Sequence, residues 1–370
     1  MRWLETACGC VLILIVLRDA FETMILPRRL NGRLRFTRFY YRLGWPLWAW
    51  LARHLTRGRQ RETTLSLFGP LSMLLLFVIW AVGLVFGFAL VYLGLGSPLQ
   101  TSEPLRGLGM DLYLSGTMFL TLGLGNAVPH TNLSRTLAVC EGGMGFGFVA
   151  VIISYLPILY GGFSARESNI SMLDARAGSP PTASELLRRH AHDRAQLQSY
   201  LAEWEHWAAQ LLESQISYPV LGFFRSQHVN QSWLAALTTV LDACAFVIAT
   251  GDDACTRQAQ LTFAMGRHAV VDLAQIYLRR RPTEVRERLT NADLERLRGE
   301  LAAAGWGVSM DDTRRHRLLQ LRNLYDSHVQ SIGLALELEV PAWIGNADHL
   351  DNWQRSPWDK SPAPDIRSHY

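Results

Sequence analysis

Residues 121–126 read Thr121-Leu122-Gly123-Leu124-Gly125-Asn126, inside the run LYLSGTMFLTLGLGNAVPHTNLSRTLAVCEGGMGFGFVAVIISYLPILYGG that spans 112–162. A cation sheds its water only where closely spaced backbone carbonyls replace the hydration shell. A chain that turns successive carbonyls to one side must pass through positive φ, which glycine adopts without a Cβ clash. Gly123 and Gly125, alternating with Thr121, Leu122 and Leu124, have the pattern of such a strip.

The flanking segments fit that reading. Residues 109–120 are too short to cross a bilayer and too apolar for an exposed loop, so they are expected to form a re-entrant helix whose carbonyl end favours a cation. Residues 65–102 carry no charge, a length that exceeds the roughly 30 Å hydrocarbon core. Gly69-Pro70 is read as a break or helix start, leaving an outer helix over about 70–92. An inner helix is expected over about 134–160, carrying Glu141 and meeting Pro157 near its far end.

The run 112–162 resembles the pore loop and inner helix of the potassium channel superfamily, in its bacterial form of two helices around one re-entrant loop. In that family the filter commonly reads Thr-Val-Gly-Tyr-Gly-Asp with a proline shortly after. Here Leu122 stands for Val, Leu124 for Tyr and Asn126 for Asp, with Pro129 in place. The resemblance implies a K+-binding filter of Thr121, Leu122, Gly123, Leu124 and Gly125, with Asn126, Thr117 and Glu141 as its support. It places a hinge glycine at Gly145 and a basic residue, Arg135, at the opening of the inner helix, and Pro157 is a second gating position. It also implies four copies around one pore, since one filter cannot enclose an ion. A GLG filter occurs in tandem-pore potassium channels, and Asn after the last glycine occurs in both selective and non-selective members. The expected activity is passive K+ conduction, with a non-selective cation channel or a non-conducting membrane-anchored sensor or scaffold as alternatives. No enzymatic activity, and no cofactor beyond permeant K+, is expected.

About half of the chain's residues are hydrophobic, bunched in the first 160 positions. Lys360 is the only lysine, so the net charge of +4 is carried by arginine. Residues 28–61 hold ten arginines and no acidic residue, whereas the loop 97–133 balances Arg106 against Glu103 and Asp111, so the basic segment is expected in the cytoplasm and the filter mouth outside. Phe36, Phe39, Tyr40, Tyr41, Trp45, Trp48 and Trp50 interleave with those arginines. This mixture suits the headgroup plane and anionic lipid, and its place between two membrane segments argues against nucleic acid. A further apolar segment over 3–26 is interrupted by Arg18, Asp19 and Glu22. It lacks the basic cluster and small-x-small site of a signal peptide and reads as an extra span. Arg18 and Glu22, at i and i+4, are expected to pair, leaving Asp19 without an obvious partner.

From 164 onward the chain reads as soluble and all-α. Ser164-x-x-Glu167 and Thr182-x-x-Glu185 have capping-box spacing, and Pro180-Pro181 marks a linker. Leu197, Leu201, Trp204, Ala208 and Leu211 form one helical stripe, and Leu318, Leu321, Tyr325, Val329, Ile332 and Leu336 another. Residues 233–250 are apolar enough to span, but Asp242 at their centre favours a buried soluble helix. Asn291 is read as a helix cap and Gly305 as the stop. His190 and His192 read as solvated surface residues, and Arg279-Arg280-Arg281 as part of a solvated ion-pair face. Gly251-Asp252-Asp253 lacks the glutamate that would complete a calcium loop. There is no GxGxxG after a strand and no arginine-lined apolar helix, which removes a Rossmann module and a voltage sensor. The five cysteines suggest no disulfide framework.

The sequence therefore reads as an all-α membrane protein with a potassium-channel-like pore domain, in the inner (plasma) membrane with its C-terminal domain in the cytoplasm. It divides into an N-terminal span (1–27), a basic aromatic interfacial segment (28–63), the pore domain (64–162), a helical cytosolic domain (163–344) and a flexible tail (345–370).

Overall fold

The computed structural model describes residues 2–26, 36–97, 99–101, 107–228, 230–251, 253–278, 286–307, 310–345, 351–354 and 358. They form two compact units, Met1–Gly161 and Gly162–Tyr370.

In the first unit α1 (Arg2–Met24), α2 (Phe36–Leu55) and α3 (Arg59–Gly94) lead to a short strand β1 (Leu99–Thr101), the 12-residue helix α4 (Leu108–Phe119), strand β2 (Ala127–Pro129) and the long helix α5 (Asn132–Ala177). β1 and β2 pair antiparallel, Gln100 opposite Val128, and so close the loop that carries residues 120–126. α4, about 18 Å long at the helical rise, is too short to cross a bilayer.

α3 runs unbroken through Pro70 for 36 residues, so the expected start near Gly69-Pro70 is corrected. The proline removes one backbone bond, but α2 packs over this stretch. Trp45 and Tyr41 lie edge-on to Phe68, with Trp45 at 5.0 Å, and the Tyr40 hydroxyl donates to the Ser72 carbonyl at 2.8 Å.

α1 lies along α3. A Cβ on Gly9 would meet the Gly87 carbonyl at 2.5 Å, and one on Gly87 would meet Ile13 at 2.7 Å, so paired glycines set this close crossing. Ile13 packs against the cluster of Phe88, Tyr92, Met110, Leu114 and Ala127, which brings α1 into contact with the core shared by α3, α4 and β2. Asp19 is buried and has partners, contrary to the sequence reading. Its carboxylate accepts from Trp80 Nε1 at 3.0 Å, from the Thr37 hydroxyl at 2.6 Å and from the Thr37 amide at 3.2 Å. An aspartate from α1 thus caps the first turn of α2, where the helix dipole favours negative charge. Arg18 and Glu22 pair at 2.8 Å.

By length and composition Gln60–Gly94, Asn132–Ala177 and Trp233–Thr250 could cross a membrane. α1 is not among them, because its charges bracket a short apolar core; its 23 residues nonetheless reach about 34 Å.

α5 continues well past Tyr160. Gly161 and Gly162 are helical, and Ser164 and Glu167 lie inside the helix instead of capping one. The reason lies within the second unit: Arg166 is buried and donates to the Leu221 and Phe224 carbonyls at 2.8 and 2.9 Å, with Glu167 at its side.

The second unit continues with α6 (Ala183–Arg189), α7 (Arg194–Ser217), α8 (Trp233–Thr250), α9 (Ala254–Tyr277), α10 (Asn291–Ala303), α11 (Asp312–Asn323) and α12 (Asp326–Leu336). Every residue of α8 is buried, so its apolarity serves the core of this unit. Asp242 is held there by a two-pronged contact to Arg288, at 2.8 and 3.0 Å, and by the Tyr325 hydroxyl at 2.5 Å; Arg288 Nε also reaches Asp326 at 2.6 Å. Burial lowers the Arg288 guanidinium, but Asp242 outweighs it and leaves its pKa above the ordinary arginine value.

Four local expectations change here. The stripe 318–336 is divided between α11 and α12, because Tyr325 turns inward to Asp242. Thr290, one residue before Asn291, caps α10, its hydroxyl accepting from the Asp293 amide at 3.2 Å. His190 is buried, with its ring stacked on Tyr200 and its Nδ1 2.8 Å from the Leu186 carbonyl, and burial holds the imidazole below its usual range. Most of the expected tail 345–370 lies outside the described residues, but within residues 351–354 Asp351 is buried and bonded to Arg189 at 2.9 Å. The Arg279-Arg280-Arg281 run also lies outside the described residues. Thr182 caps α6, Asp253 caps α9 and all five cysteines are free.

Candidate functional site

The candidate filter begins where α4 ends. The Thr121 amide donates to the Met118 carbonyl at 3.1 Å and the Leu122 amide to the Thr117 carbonyl at 2.8 Å, the paired bonds of a Schellman cap. Such a cap needs left-handed backbone at its first outside residue, and Thr121 has φ 57°. Glycine normally takes that place, and a β-branched residue there is strained by about 1–2 kcal/mol.

Left-handed backbone then recurs at every second position, with φ 57° at Thr121, 55° at Gly123 and 76° at Gly125, while Leu122 and Leu124 keep negative φ. In an ordinary strand successive carbonyls point to opposite sides; alternating the sign of φ brings them toward one side. The sequence reading named the two glycines for this purpose and missed Thr121, whose β-branched side chain gives no hint of positive φ. Leu122 and Leu124 are each 57% exposed, Asn126 is also exposed, and a Cβ on Gly123 or Gly125 would meet nothing within 4 Å. Local φ, and not crowding, is what demands glycine there.

Behind α4 lies a buried polar clamp. Glu141 of α5 is fully buried; its Oε2 accepts from the Tyr92 hydroxyl of α3 at 3.0 Å, and its Oε1 accepts from the Ser115 hydroxyl of α4. Ser115 also reaches the Val85 carbonyl at 2.8 Å. Three helices are thereby joined through one carboxylate. Tyr92 and Ser115 were not identified from sequence; the signal was available as two isolated polar groups in apolar helices, each needing a partner.

Thr117 is buried, but its hydroxyl turns back to the Leu114 carbonyl at 2.8 Å within α4. Gly145 faces the end of α4 so closely that a Cβ would overlap the Phe119 carbonyl, and Phe148 packs on Phe119 at 5.8 Å. Pro157 is inside α5, about 18 Å further along at the helical rise. Arg135 Nε donates to the Pro129 carbonyl at 3.2 Å, tying the start of α5 to β2. Glu141 and Gly145 thus meet α4, whereas Pro157 lies apart from it.

Two long apolar helices, α3 and α5, thus flank the short helix α4 and a strip of alternating backbone handedness. Residues 74–160 match the family model described as "Ion channel", so this segment is similar to an ion-channel domain. The matched segment covers most of the apolar part of α3, all of α4, the strip and α5 as far as Tyr160. No curated protein and no solved structure matches the chain. Among the described residues no group of three or more His, Cys, Asp or Glu is arranged to hold a metal ion.

Proposed function

We propose that the chain is one subunit of a homotetrameric, potassium-selective channel that conducts passive K+ flux and performs no catalysis. Four copies of Thr121, Leu122, Gly123, Leu124 and Gly125 would supply the ring of carbonyls that replaces the hydration shell of K+. The observation that carries this reading is the alternation of φ sign over 121–125, directly after the cap of a helix whose negative end favours a cation. Asn126 and the Glu141 clamp support the strip, and Gly145 and Pro157 are the points at which α5 changes between closed and open arrangements. The basic segment orients the pore with its filter outside and the second unit in the cytoplasm of a bacterial-type inner membrane.

A second reading, non-selective cation conduction, is favoured by Leu124 and Asn126, which depart from the commonest filter. Liposomes loaded with K+ and containing the purified protein test the proposal. With a protonophore present to carry the balancing inward flux of protons, K+ efflux that persists when external Na+ is replaced by an impermeant cation is expected. Absence of any cation flux from folded tetramers would instead indicate a non-conducting sensor or scaffold.

A further inference from the structure

α2 presents a face that the rest of the unit does not cover. Phe36, Phe39, Leu43, Leu47 and Trp50 recur at intervals of three and four, and they are 41%, 60%, 55%, 61% and 50% exposed. On the opposite face Trp45, Ala49 and Ala52 are buried, and Tyr40 and Trp48 donate to the Ser72 and Thr64 carbonyls of α3 at 2.8 and 2.9 Å. These bonds, with Asp19 capping the first turn of α2, fix the rotation of the helix, so the apolar stripe must point away from α3.

We propose that α2 is a lipid-binding helix. Its stripe is buried in the acyl layer of the cytoplasmic leaflet, and the exposed Arg38, Arg42 and Arg53 hold the phosphates of anionic lipids. Two observations favour lipid over a protein partner. The stripe is continuous in character with the exposed apolar surface of α3 at Leu67, Leu71, Leu74, Leu75 and Val78, which leads into the matched channel segment beginning at residue 74. Arg42 and Arg53 lie on one flank of the stripe at the helical repeat, with Arg38 further round toward the side of Trp45, and all three belong to a segment of ten arginines that lacks any acidic residue. An apolar stripe flanked by basic side chains, with Trp and Tyr at its margins, matches a bilayer interface of negative charge. Arginine stems can lie along the apolar surface while their guanidinium groups reach the phosphates. Because α2 is bonded to α3, lipid held by α2 bears directly on the outer helix.

The test uses the full-length protein in liposomes of mixed phosphatidylglycerol and phosphatidylcholine, with the exposed Cys8, Cys10 and Cys140 replaced by serine and a fluorophore on Leu47→Cys. Lipids carrying a nitroxide in the acyl chain should quench the label, and soluble iodide should not. Energy transfer to a headgroup-labelled acceptor should favour phosphatidylglycerol over phosphatidylcholine. That preference should fall about fivefold for each of Arg38→Gln, Arg42→Gln and Arg53→Gln, the factor equivalent to about 1 kcal/mol per basic residue. Quenching by iodide alone, or efficient oxidative cross-linking of Leu47→Cys between two copies, would overturn the proposal. So would an energy-transfer preference unchanged by the three substitutions. None of these readouts depends on ion conduction, so they stand or fall separately from the channel reading.

Discussion

The Glu141 carboxylate of the inner helix accepts a hydrogen bond from the Tyr92 hydroxyl of the outer helix at 3.0 Å, with both side chains fully buried. Ser115 of α4 completes the contact from the third side. A polar group so enclosed is worth little as an isolated bond and much as a fixed position, because leaving a buried acceptor or donor unmatched costs about 1–3 kcal/mol. The three helices that frame the strip are thereby held in one register.

Tyr92→Phe and Ser115→Ala should each lower the thermal stability of the protein and shorten the open times of the proposed filter. Their effects should not add, because both act through Glu141. A double-mutant cycle on unfolding midpoint and single-channel lifetime checks this; strict additivity would show that Glu141 does not link the two.

Gly123→Ala and Gly125→Ala should abolish K+ flux while tetramers still form. An L side chain at φ 55° or 76° is disfavoured by about 1–2 kcal/mol, and the simplest relief is to turn the peptide and its carbonyl away. Size-exclusion profiles matched to the parent, together with lost flux, are expected. Normal flux in either variant would contradict the filter assignment.

In the second unit, Arg288→Met should destabilise the fold by about 3–5 kcal/mol, since it leaves the fully buried Asp242 without its cation. Asp242→Leu combined with Arg288→Met should recover much of that loss. Denaturant unfolding followed by a probe in the second unit measures both; equal stability of the single and double variants would refute the pairing argument.

The second unit should also lose stability as pH falls. Burial depresses the His190 imidazole in the folded state, Arg176 and Arg189 act in the same direction, and Asp193 and the bond to the Leu186 carbonyl oppose them. A histidine with a lowered folded pKa contributes its full stability above the unfolded value of about 6.5, and that contribution declines as pH drops below it. His190→Phe keeps the ring against Tyr200 and removes the titration, so the slope of unfolding midpoint against pH between about 6.5 and 5 should flatten.

The parts of the fold legible in sequence were those governed by local chemistry. The glycine spacing, the apolar runs and Thr182 as a cap could be read without knowing what surrounds them. Long-range partners could not. Asp19 had no partner within helical reach because its partners, Trp80 and Thr37, come from α3 and α2. The unbroken course of α5 through Gly161 and Gly162 depends on Arg166 being gripped by carbonyls more than fifty positions away. Tyr325 breaks an otherwise regular stripe because it bonds to Asp242, a contact with no trace in periodicity. At the candidate site, Gly123 and Gly125 announce positive φ by residue type, whereas Thr121 takes it because the α4 cap demands it.

Selective K+ conduction is most directly tested by the reversal potential of the purified protein in planar bilayers, with K+ on one side and Na+ on the other. A large potential, negative on the K+ side, is predicted, and it should change sign when the two solutions are exchanged. A reversal potential near zero at matched concentrations, with substantial current, would contradict potassium selectivity and leave a non-selective cation pore.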